Sequence, residues 1–269
     1  MRHLLLALLL LFPLPVLAQD EDGGGFLTRM IERQLSSDNQ QVRLTGFQGV
    51  LSSRASFARL TIADRDGVWL TIEGAQLDWD RSALLRGELV VNELSAQVID
   101  LDRLPPGGEG GGVSVPSPTS TSVNLPSLPV GIHIGRIAAE RVRLGPSILG
   151  EELLATVEGS LELANGEGAA DISAVRTDGT EGRLVLDAAF ANESRNLRIA
   201  VELAEAEGGV LAHMLGLPGE PAVDFTIRGE APISDFTADI RLETAGAPRV
   251  TGALRFMDLP ENRGLGWAL

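Results

Sequence analysis

From Val42 onward, apolar and polar residues alternate with period two, the spacing that sends successive side chains to opposite faces of a strand. Val42 and Leu44 alternate with Arg43 and Thr45, and Leu60 and Ile62 follow. Asp66-Gly67 is a hairpin signal between alternating runs. Beyond it Val68, Leu70 and Ile72 share a face opposed by Trp69, Thr71 and Glu73. After Gly74, Ala75, Leu77 and Trp79 face one way, and Gln76, Asp78 and Asp80 the other. "RSALLRG" reads as one helical turn closed by Gly87. The run from Glu88 to Asp102 carries Leu89, Val91, Leu94, Ala96, Val98, Ile99 and Leu101. Its phase slips between Val98 and Ile99, where a bulge or twist is expected.

Residues 105–131 are a different material, dominated by Pro, Gly, Ser and Thr, and read as a loop or linker. Strands resume at "IHIGRIAAERVRLG". "LATVEGSLEL" is expected to pair with "GAADISAVRT", and "RLVLDAAFA" with "LRIAVELAEAEG" across the loop Asn192–Asn196. "GVLAHMLGLPG" predicts a short helix. Three strands follow, "AVDFTIRGE", "DFTADIRLETAG" and "RVTGALRFMDL". "ENRGLGWAL" ends in what reads as the start of another strand, so a truncated chain is expected. At the other end, "FLTRMIERQLSSDNQ" sets Leu27, Met30, Ile31 and Leu35 on one helical face, an amphipathic helix suited to capping a sheet. The whole predicts a mainly β chain: an elongated antiparallel sheet with short helices at the N-terminus and between strands. Four segments follow: 1–18, 19–104, the loop 105–131, and 132–269.

Composition sharpens this picture. Hydrophobic residues make up 44% of the 269, yet aromatics only 4%, so the apolar surface is Leu, Val, Ile and Ala. A net charge of −15 argues against nucleic acid, whose phosphates call for clustered basic residues. No Cys is present, which excludes disulfides, thiolate metal sites and Cys nucleophiles. "MRHLLLALLLLFPLPVLAQD" has a basic start, a Leu-rich run too short to span a bilayer, and a cleavage pattern between Ala18 and Gln19. An exported, periplasmic chain is expected, with an uncleaved inner-membrane anchor as the rival.

No catalytic constellation emerges. His133 lies on a strand between Ile132 and Ile134, and His213 in an apolar helical turn. Each reads as a packed or half-exposed residue rather than a ligand or base, and no zinc set is complete. Asp64 and Asp66 read as a solvated hairpin. "GGEGGG" lacks the Lys of a phosphate loop, and "GPSILG" is not a nucleophile elbow. No catalytic residue, cofactor or metal is assigned, and the chain is not expected to be an enzyme.

A family resemblance enters on Gly46–Gly49, "IADRDGVWL" (Ile62–Leu70), "LDW" (Leu77–Trp79) and "SALLRG" (Ser82–Gly87). These resemble the N-terminal part of the TamB family, the AsmA-like translocation and assembly module subunits of Gram-negative bacteria. The likeness covers most of residues 26–258. It implies a sheet curved into an open hydrophobic groove, shaped like a taco shell, that spans the periplasm. It also implies a TamA-like outer-membrane barrel of the Omp85 type as partner, with roles in outer-membrane protein assembly, protein secretion and phospholipid transport between membranes. Family members usually keep an uncleaved anchor, from which the cleavage pattern here departs. Leu70, Ile72, Leu77, Trp79, Leu89 and Val91 are the candidate lipid-facing wall. Phospholipid or nascent outer-membrane strands would be the guests. The alternative is a closed β-sandwich serving as a periplasmic binding or adhesion module, in which the same residues are ordinary core.

Overall fold

The computed structural model describes residues 32, 36, 40–49, 52–104 and 130–257, with side chains to residue 255. Ala18 and Gln19, most of the expected N-terminal helix, residues 105–129 and the chain after 257 lie outside them.

The alternating runs all become strands of one sheet, ordered as they occur in the chain. They are β1 (Gln41–Thr45), β2 (Arg54–Asp64), β3 (Gly67–Asp80), β4 (Glu88–Leu101), β5 (Gly131–Leu144) and β6 (Leu153–Ala164). β7 (Glu167–Arg176), β8 (Gly182–Ala191), β9 (Asn196–Glu205), β10 (Val223–Pro232), β11 (Asp235–Thr244) and β12 (Ala247–Met257) complete it. β1 and β12 do not meet, so the sheet is curved and open rather than closed into a barrel. Among the described residues, three short helical pieces lie between its strands: a 3-10 turn at Arg81–Arg86, α1 (Pro146–Leu149) and α2 (Val210–Met214). The turn starts where Asp80 accepts the Ser82 N–H at 2.8 Å and stops at Gly87, in the left-handed region at φ 75°.

One expectation is corrected. The sheet is not antiparallel throughout, because β4 and β5 run parallel, with Glu88 opposite Gly131 and Leu101 opposite Leu144. The reason lies between them. Residues 102–130 carry the chain from the end of β4 back to the level of its start, which a tight hairpin could not do. The strands on either side of this segment therefore belong to one sheet.

Apolar side chains stay on one face of β2–β5 because the phase slips in concert. On β4, Leu89 and Val91, Leu94 and Ala96, then Ile99 and Leu101 match Ile132 and Ile134, Ile137 and Ala139, then Val142 and Leu144 of β5. Both strands insert an extra residue at the same two levels. β6 alternates without interruption, so its register against β5 shifts at those levels, between Ile134 and Ile137 and between Ala139 and Val142. The slip expected at Val98–Ile99 is thus one level of a line that continues through Gly74 on β3 and Ala58 on β2. Val68 is the exception to its expected face. A shift in pairing beside Trp69 takes it out of phase with Leu70, leaving Val68 50% exposed and Trp69 buried.

Gly74 makes the slip possible on β3. Its φ is +60°, and a Cβ there would come within 2.5 Å of Gln97 Oε1. Gly74→Ala is expected to lower unfolding free energy in urea by about 1–2 kcal/mol. An unchanged midpoint would mean that the kink relaxes freely.

Candidate functional site: the apolar wall

From β6 to β12 the alternation lines up into rows that cross the strands. Val157, Ala174, Leu184, Leu203, Phe225 and Leu242 pair in turn, as do Ile172, Leu186, Val201, Ile227 and Ile240 one step away. The six residues named from the sequence continue the same face. Leu70 and Ile72 pair with Leu101 and Ile99, Leu77 with Leu94, and Trp79 with Val91, while Leu89 lies opposite Ile132. Twelve strands spaced about 4.8 Å apart give a wall roughly 50 Å long. Those six residues, on β3 and β4, occupy only its first third. The rows of β6–β12 were visible as clean alternation, but nothing in the alternation says which strands share a face until the pairing is known.

This wall is not the inside of a sandwich. All described strands belong to one sheet whose first and last strands do not pair, so among the described residues there is no second sheet to face the wall. Leu94, Leu161 and Val250 lie on it and stay 37%, 36% and 38% exposed. Among the described residues, Val223 is the one large side chain buried to completion. Seven of the fifteen buried hydrophobic residues among those described are Ala, including Ala75, Ala96 and Ala139 beside the phase slips.

The opposite face is polar and ordered by cross-strand ion pairs. Arg54 meets Asp78 at 3.0 Å, Arg198 meets Asp187 at 3.0 Å, and Arg59 pairs with Glu73 and Arg228 with Glu202. All 22 basic residues of the chain are Arg. The planar guanidinium suits the parallel joint, where one side chain reaches two strands. Arg136 of β5 bridges Glu93 of β4 at 3.4 Å and Glu158 of β6 at 3.0 Å. Arg143 joins Asp100 at 2.6 Å to Glu152 at 2.8 Å. Each exposed pair is worth little, but opposite charges across strands help fix register.

One lip of the wall carries charge on the apolar side. Arg176, at the end of β7, reaches Glu205 on β9 at 3.1 Å and Asp178 at 3.1 Å, and all three side chains are largely buried. Glu205 Oε2 also accepts the Leu211 N–H of α2 at 2.8 Å, fastening that helix over the lip. Burial by itself would raise the Asp178 pKa. The Arg176 guanidinium and the N–H groups of Leu154 and Thr180 outweigh it and hold the carboxyl below its ordinary value.

The candidate polar chemistry remains scattered. His133 Nδ1 lies 2.9 Å from Glu162 and His213 Nδ1 3.1 Å from Glu220, on opposite lips. Asp64 accepts Arg103 in a two-pronged contact and the Asp66 N–H at 2.8 Å. Arg103 holds the Asp64 pKa down. Two hollows of about 220 and 390 Å³ indent β2–β4, lined mainly by Gln, Ser and Gly with Asp78 and Glu93 on the larger. Among the described residues, no group of three or more His, Asp or Glu is placed to hold a metal, and no helix is long and apolar enough to cross a membrane. The chain matches no known family model, no curated protein and no solved structure.

Proposed function

We propose that the chain is a conduit of the TamB kind, in which the apolar wall carries hydrocarbon guests through an aqueous compartment. The observation that carries this is the half-exposed wall itself. An apolar face runs across all twelve strands, and Leu94, Leu161 and Val250 on it stay 37%, 36% and 38% exposed, as a surface that receives an apolar guest would. Each acyl CH₂ moved from water onto such a wall gains roughly 0.8 kcal/mol, so one lipid chain gains on the order of 10 kcal/mol. The contacts are non-directional, so a guest slides along the rows without any reacting group. The acidic surface and the N-terminal export segment suit a periplasmic setting. Resemblance to the TamB family supports phospholipid or nascent outer-membrane strands as guests, and a TamA-like barrel as the partner. The closed-sandwich alternative loses its ground, since it needs a second apolar layer.

The test is extraction of the purified chain with organic solvent and mass spectrometry of the extract. Phospholipid in stoichiometric amount is the expected result. Lipid-free protein that also fails to take up an acyl-chain probe from detergent-free solution would overturn the proposal.

A further inference from the structure

The two lips of the wall differ between β6 and β11. On one, short hairpins join the strands: residues 165–166 between β6 and β7, 192–195 between β8 and β9, and 233–234 between β10 and β11. These turns hold one Glu and one Arg, so together they are neutral. On the other lip, the contacts of α1 and α2 close into a ring. Glu151, just after α1, has its Oε1 3.7 Å from the Arg176 guanidinium. Arg176 reaches Glu205 at 3.1 Å, and Glu205 accepts the Leu211 N–H of α2 at 2.8 Å. The His213 ring then returns to Gly150, where a Cβ would lie 3.2 Å from His213 Nε2. The ring joins the β5–β6 connection to the β9–β10 connection, four strands apart, or roughly 19 Å along the sheet.

Three features make this ring a barrier on the wall side of its lip. Glu205 lies two residues from Leu203 on β9, so its side chain, and α2 bonded to it, stand on the face of the wall. α2 is fixed at its base, where the Gly208 N–H donates to the Glu220 carbonyl at 2.8 Å, and it buries Val210 and Ala212. The charge of the ring is unbalanced, because Arg176 faces Glu151, Asp178 and Glu205. We propose that between β6 and β11 the wall takes an anionic amphiphile in one orientation, its charged end at the hairpin lip and its apolar end toward the ring. This rests on the wall being a site for acyl guests and adds which way round they lie. A guest entering the other way would bring its charged end against α2 and like charges. At the hairpin lip that end stays in water beside neutral turns. Two excess negative charges acting on an anionic group roughly 6 Å away through water favour the hairpin lip by about tenfold at low salt.

The chain has no Cys, so one engineered Cys carries a fluorophore to a chosen place in the full chain. Glu193→Cys marks the hairpin lip, Leu215→Cys, 51% exposed just after α2, marks the ring lip, and Leu161→Cys marks the wall. The probes are two spin-labelled fatty acids, one with the nitroxide beside the carboxylate and one with it at the methyl end. The first is expected to quench the label at 193 and spare that at 215, and the second to quench 215 more than 193. Glu205→Ala combined with His213→Ala, which frees α2 on both sides, should make the two lips equal. Quenching at 161 with both lips equal in the otherwise unchanged chain, or with the ends reversed, would overturn the orientation and leave the wall reading standing. A lip preference that persists in the folded double variant would overturn the ring as its cause. Should that variant fail to fold, the comparison of 193 with 215 decides alone. Absence of quenching at 161 by either probe would overturn the wall reading and this proposal together.

Discussion

Replacing Leu94 and Leu161 together by Asp is expected to abolish binding of an acyl-chain probe while leaving the sheet folded. The two residues stand on the apolar wall at 37% and 36% exposure, on β4 and β6 with β5 between them. Without a guest, their carboxylates would face water. Surface exchanges of this kind shift stability within about 0.5 kcal/mol, whereas truncating a buried Leu costs about 2–5 kcal/mol. With a guest present, each Leu gives up contacts worth roughly 1.5–3 kcal/mol, and each new carboxylate must be stripped of water against hydrocarbon. The expected loss is at least 100-fold in affinity for the pair. Fluorescence displacement of a fatty-acid probe and a thermal melt on the same samples give the answer. Unchanged binding would show that guests do not touch this wall. A collapse of both signals would show that the two leucines are core.

The contrast between these leucines and the buried alanines shows what the sequence discloses and what it withholds. Period-two alternation located most of the strands, because it follows from the backbone itself, although it caught only Leu60 and Ile62 of β2 and divided β3 into two runs at Gly74. Gly67, Gly87 and Gly166 occupy left-handed turns that bound such runs. The groove was legible as a greasy face but not as an open one. Leu94 in an open wall and Leu94 in a sandwich obey the same alternation, and the family resemblance, not the spacing, favoured the open form. The parallel β4–β5 joint was hidden for another reason. Strand direction after a long Pro- and Gly-rich segment depends on which end the chain returns to, and no local preference encodes that. Leu94–Ile137 and Ile99–Val142 show the same limit at finer scale. Each strand's slip can be suspected alone, but that the slips coincide is a property of the pairing. The Glu32–Leu44 contact lies further still from a sequence signal, since a Glu on the polar side of an amphipathic helix gives no hint that it completes a strand edge.

Arg176→Met is expected to be the most destabilising single change on the lip, by about 3–5 kcal/mol at neutral pH, because it strands buried carboxylates rather than removing an attraction alone. Met keeps the length and apolar stem of the side chain, so the loss reports on charge more than on packing. Glu205 keeps its bond to Leu211 but loses the cation at 3.1 Å, and Asp178 loses the partner that offset its burial. The pH dependence follows from the direction of the Asp178 shift. Its folded pKa lies below the ordinary 3.8, so its contribution is fully present above that value and is lost as pH falls through the folded pKa. Wild type should therefore lose stability steeply below about pH 4, and Arg176→Met, lacking the depressed carboxyl, should lose less over the same window. Urea unfolding between pH 2.5 and 7 measures both curves. Parallel curves would mean that the arginine packs against the lip without holding the carboxyl ionised. Because Glu205 also anchors α2 at the lip, the variant should loosen that helix first, with faster hydrogen exchange at Leu211 than in the neighbouring strands.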